Sequence, residues 1–352
     1  MERGSVSSAT TPAISAHTIS ADRPRLPWPW FLWLAFFYSG WLSILLIGDH
    51  VRAAIEHWPI AVAMSAGSYV AGSTPMGGGT VGFPILVLLF DMPASIGRNF
   101  SFAVQSIGMT SASIFILATG KPYAKRILLW AMAGSLVGTP IGAAFVAPHA
   151  NDLFVKLLFA VIWASFGIMT LVRVREMARY EGITRMSPTF ERRLGLFVGL
   201  FGGAFIASLT GVGIDMLIYT MLVLVLRADL KIAIPTSVMI MAWTSLVGLA
   251  SNVMLGTVEA EVWYNWLAAA PIVALGAPLG VFVVNRIGRA PTLVFVSILC
   301  VGQFVWTLVN ERVSVWVGAI AVVGVLLANL AYHLLYVAGG HLAHRRVEER
   351  IL

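Results

Sequence analysis

Two short stretches concentrate the residue types that can hold a charged solute inside an apolar protein. Thr74-Pro-Met-Gly77-Gly78-Gly79-Thr80 and Thr210-Gly211-Val-Gly213 each interrupt a long apolar run with glycines and hydroxyls. Each opens onto a new apolar segment, near Val81 and Ile214. If those segments are half-helices, their first turns present free N–H groups and the positive end of a helix dipole, which suit an anion. Thr74, Thr80 and Thr210 add hydroxyl donors beside them. A polar turn follows each stretch: Arg98-Asn-Phe-Ser101 with Gln105 after the first, and Lys231 with Pro235-Thr-Ser237 after the second. Arg98 offers a planar fork for a sulfonate or carboxylate, or else reaches out to headgroups. Asp215, directly after the second break, is a candidate to carry a coupling proton or cation, and equally a helix N-cap. The candidate binding set is therefore Thr74, Gly77, Gly78, Gly79, Thr80, Arg98, Ser101, Gln105, Thr210, Gly211, Gly213 and Ser237, with Asp215 for coupling.

The two stretches are copies of one another. Gly67 to Ser101 aligns without a gap on Gly203 to Ser237 at an offset of 136 residues, pairing Gly67 with Gly203, Thr74 with Thr210, Gly77 with Gly213 and Ser101 with Ser237. The same offset pairs Gly120 with Gly256 and Trp130 with Trp266. A small slip then brings Gly138-Thr-Pro-Ile-Gly142 onto Gly276-Ala-Pro-Leu-Gly280. Apolar halves that are broken at corresponding places are the sequence sign of a secondary transporter.

Hydrophobic residues make up 59% of the 352 and charged residues 11%, too little polar surface for a soluble domain. The continuous apolar runs, each about 20 residues, predict an all-α integral membrane protein and exclude a β-barrel. Eight runs are long enough to cross, from Trp28–Ile47 to Val313–Tyr336. Pro59–Phe90 and Leu194–Leu226 break into pieces too short for full spans and read as re-entrant hairpins of broken helices. Loop charge sets the orientation. With both termini cytoplasmic, Lys121, Lys125, Arg126, the Arg173–Arg193 loop, Arg227 and Lys231 fall inside, and Glu259 with Glu261 falls outside. The repeats then start on opposite sides and are inverted. The expected organisation is a disordered cytoplasmic tail (1–27), an extra first span and loop (28–57), repeat 1 (58–173), a basic cytoplasmic linker (174–193), repeat 2 (194–309), and a last span with a cytoplasmic tail (310–352).

The net charge of +7 sits in short loops between spans, where it signals topology and not nucleic-acid binding. Gly77-x-Gly79-x-x-Gly82 fits a dinucleotide fingerprint but has no βαβ unit around it. No paired aspartate motif, HExxH or GxSxG supplies catalysis, and no cofactor or metal is expected. Cys300 reads as a small core hydrophobe, and Lys156 as a snorkelling side chain. Glycine faces at Gly134, Gly138 and Gly142, and at Gly195, Gly199 and Gly203, read as helix contacts. Trp130, Trp243 and Trp266 lie away from span ends and are candidates to line a cavity.

These halves resemble the sulfite exporter TauE/SafE family of permeases over about Trp58 to Val309. The resemblance rests on GGGTVGFPILVLLF, its second copy TGVGIDMLIYTMLVLVL, the turn at Pro235–Ser237, and GTPIG with GAPLG. It implies transport of a small sulfur-containing anion, such as sulfite, sulfoacetate or a taurine-like sulfonate, across the bacterial inner membrane. A proton or sodium ion is the expected driver. A permease for another small carboxylate or inorganic anion is the alternative, and an intramembrane enzyme the reading from a different class. Oligomeric state is left open.

Overall fold

The computed structural model describes residues 26–351, so nearly all of the expected N-terminal tail lies outside the described residues. Thirteen helices, and no strand, occur among them. In chain order they are α1 (Trp28–Ile47), α2 (Val51–Glu56), α3 (Trp58–Ser73), α4 (Gly79–Leu89), α5 (Ala94–Ala118), α6 (Lys125–His149), α7 (Asp152–Met177), α8 (Pro188–Thr210), α9 (Ile214–Val225), α10 (Leu230–Met254), α11 (Ala260–Ile287), α12 (Arg289–Asn310) and α13 (Val315–Ile351). Nine of the described helices are long and apolar enough to cross a bilayer. The ninth, beyond the eight expected, is α8. Its first two turns carry Glu191, Arg192 and Arg193, which hide its start from a hydropathy reading. Pro188 at the first helical position and Ser187, whose hydroxyl accepts from the Phe190 amide at 3.3 Å, start the helix inside the polar linker.

The duplication is visible in backbone conformation. α5 and α10 begin and end at positions 136 apart, and α4 and α9 both loosen into wide π-helical turns, at Ile85–Leu89 and Met221–Val225. Asp91 and Arg227, also 136 apart, share a left-handed conformation rare outside glycine, with φ of 52° and 48°. The equivalent helices run antiparallel. Asn99, near the start of α5, donates to the Thr257 carbonyl just past the end of α10, at 2.7 Å. The Ala124 amide, past the end of α5, donates to the Thr236 hydroxyl near the start of α10, at 2.9 Å. Lys156 at the start of α7 likewise meets Glu311 past the end of α12, at 2.9 Å.

These contacts define two ends of the bundle, and the hairpins enter from opposite ones. At an acidic end, His57 before α3 pairs with Glu261, and the Ala94 amide after α4 meets Asp152. The first broken segment thus starts and finishes there. At a basic end, Arg126 pairs with Glu191 near the start of α8, and the Leu226 carbonyl and Asp229 amide after α9 bond to Thr184 and Gly182 of the linker. The second broken segment starts and finishes there. The basic end also holds the start of α1, since Trp30 bonds Ser111 far along α5 while Trp41 bonds Leu267 early in α11. Near the C-terminal part of α13, Arg227 donates to the Tyr336 carbonyl at that same end. Lys156 does not snorkel: it is buried between Asp152 and Glu311, at 3.1 and 2.9 Å, because its helix starts beneath the α12–α13 turn.

Each hairpin's first arm is locked to a helix of the other half, α3 to α11 and α8 to α6. The contacts are backbone to backbone, so only glycine fits. A Cβ at Gly72 would lie 1.8 Å from the Ala277 carbonyl oxygen, and one at Gly199 2.0 Å from that of Ala131. Small residues that let helix backbones touch are the usual basis of association where lipid removes the hydrophobic drive. Gly199→Ala should therefore destabilise the fold by about 1–3 kcal/mol, as overpacking does. Gly302→Ala, where a Cβ meets nothing within 4 Å, should be neutral or slightly stabilising. Thermal melts of the two purified variants check the contrast.

Candidate functional site

Each break is shaped by its own threonines. α3 ends at Ser73, and Thr74 turns extended, with φ −134° and ψ 166°. The Thr74 hydroxyl donates back to the Val70 carbonyl at 2.8 Å and accepts from the Met76 amide at 3.3 Å. The Thr80 hydroxyl donates to the Met76 carbonyl and accepts from the Trp163 indole at 2.8 Å. In the second break the Thr210 hydroxyl lies 2.9 Å from the carbonyls of both Ile206 and Val212 and accepts from the Val212 amide. These hydroxyls, expected to meet a ligand, are committed to holding non-helical backbone in place.

The two breaks meet against α5. Gln105 donates its amide to the Ser101 carbonyl at 3.0 Å and, across the interface, to the Gly211 carbonyl at 3.2 Å. A Cβ at Gly79 would fall 2.2 Å from Val212 and 2.8 Å from the Ser101 hydroxyl oxygen; one at Gly211 would fall 2.4 Å from the Arg98 carbonyl oxygen. One at Gly77 would fall 2.4 Å from Gln105 Oε1 and 2.7 Å from Asp215 Oδ2. The structure thus brings Gly77, Gly79, Ser101, Gln105, Gly211 and Asp215 to one place. Gly213 adjoins them but faces Ile206 and Trp163. Ser237 is buried on α10 and bonds Ile234 of its own helix. Ser101 likewise bonds Gly97 of α5.

Trp163 is the site neighbour that sequence reasoning missed. Its ring edge lies 3.2 Å from where a Gly213 Cβ would sit, its indole bonds Thr80, and it stacks on Phe159 with centroids 3.8 Å apart. It therefore buttresses both breaks. Its position deep in the α7 run, far from the interfacial belt that tryptophan prefers, was the available signal. The tryptophans expected to line a cavity do other work: Trp243 bonds the Met132 carbonyl, Trp266 packs on Trp263, and Trp130 lies at the surface near Arg192.

The breaks are copies in sequence but differ in how their amides are used. In the second, the Gly211 amide bonds Ala207 at 2.7 Å, and Asp215 Oδ1 accepts from Gly213 at 3.1 Å and Met216 at 3.0 Å. The Asp215 carboxylate thus takes two amides of its own turn and leaves those of Ile214 and Asp215 without an acceptor. In the first, Gly77 has φ +69° and Gly78 is right-handed, with φ −71° and ψ −26°. A left-handed residue followed by a right-handed one turns successive N–H groups toward one concavity, a nest for an anion. Among the described residues, the amides of Gly77, Gly78 and Gly79 donate to no acceptor, and all three residues are buried. The two breaks are therefore unequal: among the described residues three successive amides are open in the first, at Gly77, Gly78 and Gly79, and two in the second, at Ile214 and Asp215.

Arg98 stands apart from this cluster. Its side chain lines a cavity of about 680 Å³ at the acidic end, together with Asp152, Glu259, Thr257 and Leu209, the neighbour of Thr210. A second cavity, of about 450 Å³, opens at the basic end beside Lys125, Arg126, Arg185 and Glu191.

Gly77 and Gly120 share the same left-handed backbone, with φ of 69° and 67°, but only Gly77 is crowded. Alanine at either position pays the same backbone cost of about 1–2 kcal/mol. Gly77→Ala should lower the unfolding temperature further than Gly120→Ala, because its Cβ also meets Gln105 and Asp215. Equal shifts would mean that the breaks are not packed against α5 in this way.

Comparison with known proteins agrees with this architecture. No curated protein and no solved structure matches the chain. The family description that does match is sulfite exporter TauE/SafE, over residues 60–306, which takes in both breaks, both arms and every helix from α4 to α11. With that match extending over more than half of its length, the chain belongs to the sulfite exporter TauE/SafE family.

Proposed function

We propose that this chain is a secondary transporter that carries a small sulfur-containing anion across the bacterial inner membrane by alternating access. The family is one of membrane permeases for anions such as sulfite, and the finer reading is that an organosulfonate such as taurine or sulfoacetate, or sulfite itself, is the solute. The observation that carries it is the buried Gly77–Gly79 turn. Three amides with no acceptor at the centre of an apolar protein are costly, and an oxyanion satisfies all three at once. An amide nest reads charge and compact size, so a carboxylate or inorganic anion is the competing solute.

The antiparallel packing of equivalent helices supports an inverted repeat, with the two hairpins meeting at mid-depth from opposite sides. The basic end is the cytoplasmic one by the positive-inside rule, so the start of α1 and the end of α13 are both cytoplasmic. The Arg98 cavity is then the outward vestibule. Its guanidinium draws an anion past Asp152 and Glu259 toward the second break.

Proteoliposomes should accumulate or exchange labelled sulfoacetate, taurine or sulfite, and exchange of only carboxylates or halides would transfer the activity to the competing solute. Arg98→Ala should raise the KM for entry from the vestibule side about tenfold, the loss expected for one charge-assisted hydrogen bond. A cysteine placed at Arg179 should be reached by impermeant reagents only from the cytoplasmic side; labelling from outside would reverse the orientation.

A further inference from the structure

Gln105 and Asp215 each leave one buried oxygen without a partner, and both oxygens flank Gly77. Gln105 is 2% exposed and Asp215 0%. The amide of Gln105 cannot be turned over. Its nitrogen is spent on the Ser101 and Gly211 carbonyls, so the atom facing Gly77 is the oxygen. Asp215 Oδ1 is likewise spent on two backbone amides, which leaves Oδ2 on the Gly77 side. Two acceptors that share one small space call for a donor between them.

The surroundings supply no counter-charge. Among the described residues, no lysine, arginine or histidine pairs with Asp215. Gly77 faces it from the first break and Gln105 from α5, while Ile206 of α8 and Trp163 of α7 lie against the adjacent Gly213. Tyr219, one turn along α9, is the other titratable group on that helix, and Arg98 of α5 lines the cavity at the acidic end, with its Nε donating to Asn99 at 3.5 Å. A buried carboxylate with no cation is costly when ionised, whereas the neutral acid carries the missing donor itself.

We propose that Asp215 and Gln105 form a proton site, with the acid donating from Oδ2 to Gln105 Oε1, and that its occupancy licenses anion binding at Gly77–Gly79. This rests on the transport reading above and adds the coupling to it. The proton comes from water on the open side, binds the carboxylate, and is released to water on the other side. The two sites share Gly77, so an anion on the nest beside an ionised Asp215 would meet a like charge at close range, and beside the acid it does not. Proton and anion therefore raise each other's affinity by the same factor. Co-transport also cancels the cost of about 2.3 kcal/mol per 100 mV of moving a lone anion inward against the membrane potential.

Infrared difference spectroscopy of the purified transporter in lipid tests the proton site without any solute. The wild type should show a carboxylic-acid carbonyl band that disappears as pH is raised. Asp215→Asn should lose that band, and Gln105→Leu should shift it. Absence of the band from the wild type, its persistence in Asp215→Asn, indifference to pH, or its displacement by sodium but not potassium would each overturn the proposal. Titration with sulfoacetate then tests the linkage. Wild-type affinity should fall about tenfold per pH unit once the acid ionises. The Asp215→Asn amide, which donates to Gln105 Oε1 as the acid does, should bind with no such pH dependence. The same pH dependence in Asp215→Asn would overturn the linkage. Failure of sulfoacetate to bind at any pH counts against the solute assignment alone, and the infrared result still decides the proton site.

Discussion

A backbone that stops being helical inside an apolar medium must find partners for its N–H and C=O groups, and this constraint organises the centre of the molecule. The second break meets it with its own residues: Thr210 spans the turn and Asp215 caps the half-helix that follows. Gln105 takes the Gly211 carbonyl from across the interface. The first break meets it only in part. Thr74, Thr80 and Trp163 fix its carbonyls and its shape, but the amides of Gly77, Gly78 and Gly79 stay open. The same physical demand thus leaves two amides open in one copy, at Ile214 and Asp215, and three successive ones in the other.

The glycine contacts explain why the breaks meet at all. α3 is held against α11 and α8 against α6 at distances where a single methyl group would collide with a carbonyl oxygen. Each broken arm is therefore anchored to the opposite half of the chain, and both tips are carried to the boundary between halves. Backbone contacts this close do not slide apart readily. A rearrangement that exposes the centre to alternate sides would keep these pairs as units and change the packing of the breaks on α5 and α10.

Charge divides along the same axis. Arg126 with Glu191 and Arg227 with Glu176 gather at one end, and Lys156 with Asp152 and Glu311 at the other. Tyr336 of α13 lies under the guanidinium groups of both Arg173 and Arg227, with its ring centroid 3.5 and 4.0 Å away, tying the last helix to the base of the second hairpin at the basic end. Both cavities open at these charged ends, and neither is lined by Gly77, Gly79 or Asp215.

Much of the architecture was legible in the residues alone. Run length and the scarcity of charge require helices that cross a bilayer, because only a helix satisfies its own backbone there. Glycine and threonine recurring at an offset of 136 residues marked both breaks, since those residue types tolerate and stabilise an interrupted helix. Local chemistry, however, does not say which groups are already used. Sequence assigned free hydroxyls to Thr74, Thr80 and Thr210, and the fold spends them on neighbouring carbonyls. It treated the two breaks as equivalent, and one side chain, Asp215, makes them unequal by capping its own turn. It left Lys156 without a partner and Trp163 unremarked, because Glu311 and Thr80 lie 155 and 83 residues away in the chain. Which polar groups are satisfied and which are left over depends on contacts distant in sequence, so the type of site was fixed by composition and spacing, while its open amides and its unpaired acid were decided only when the helices packed.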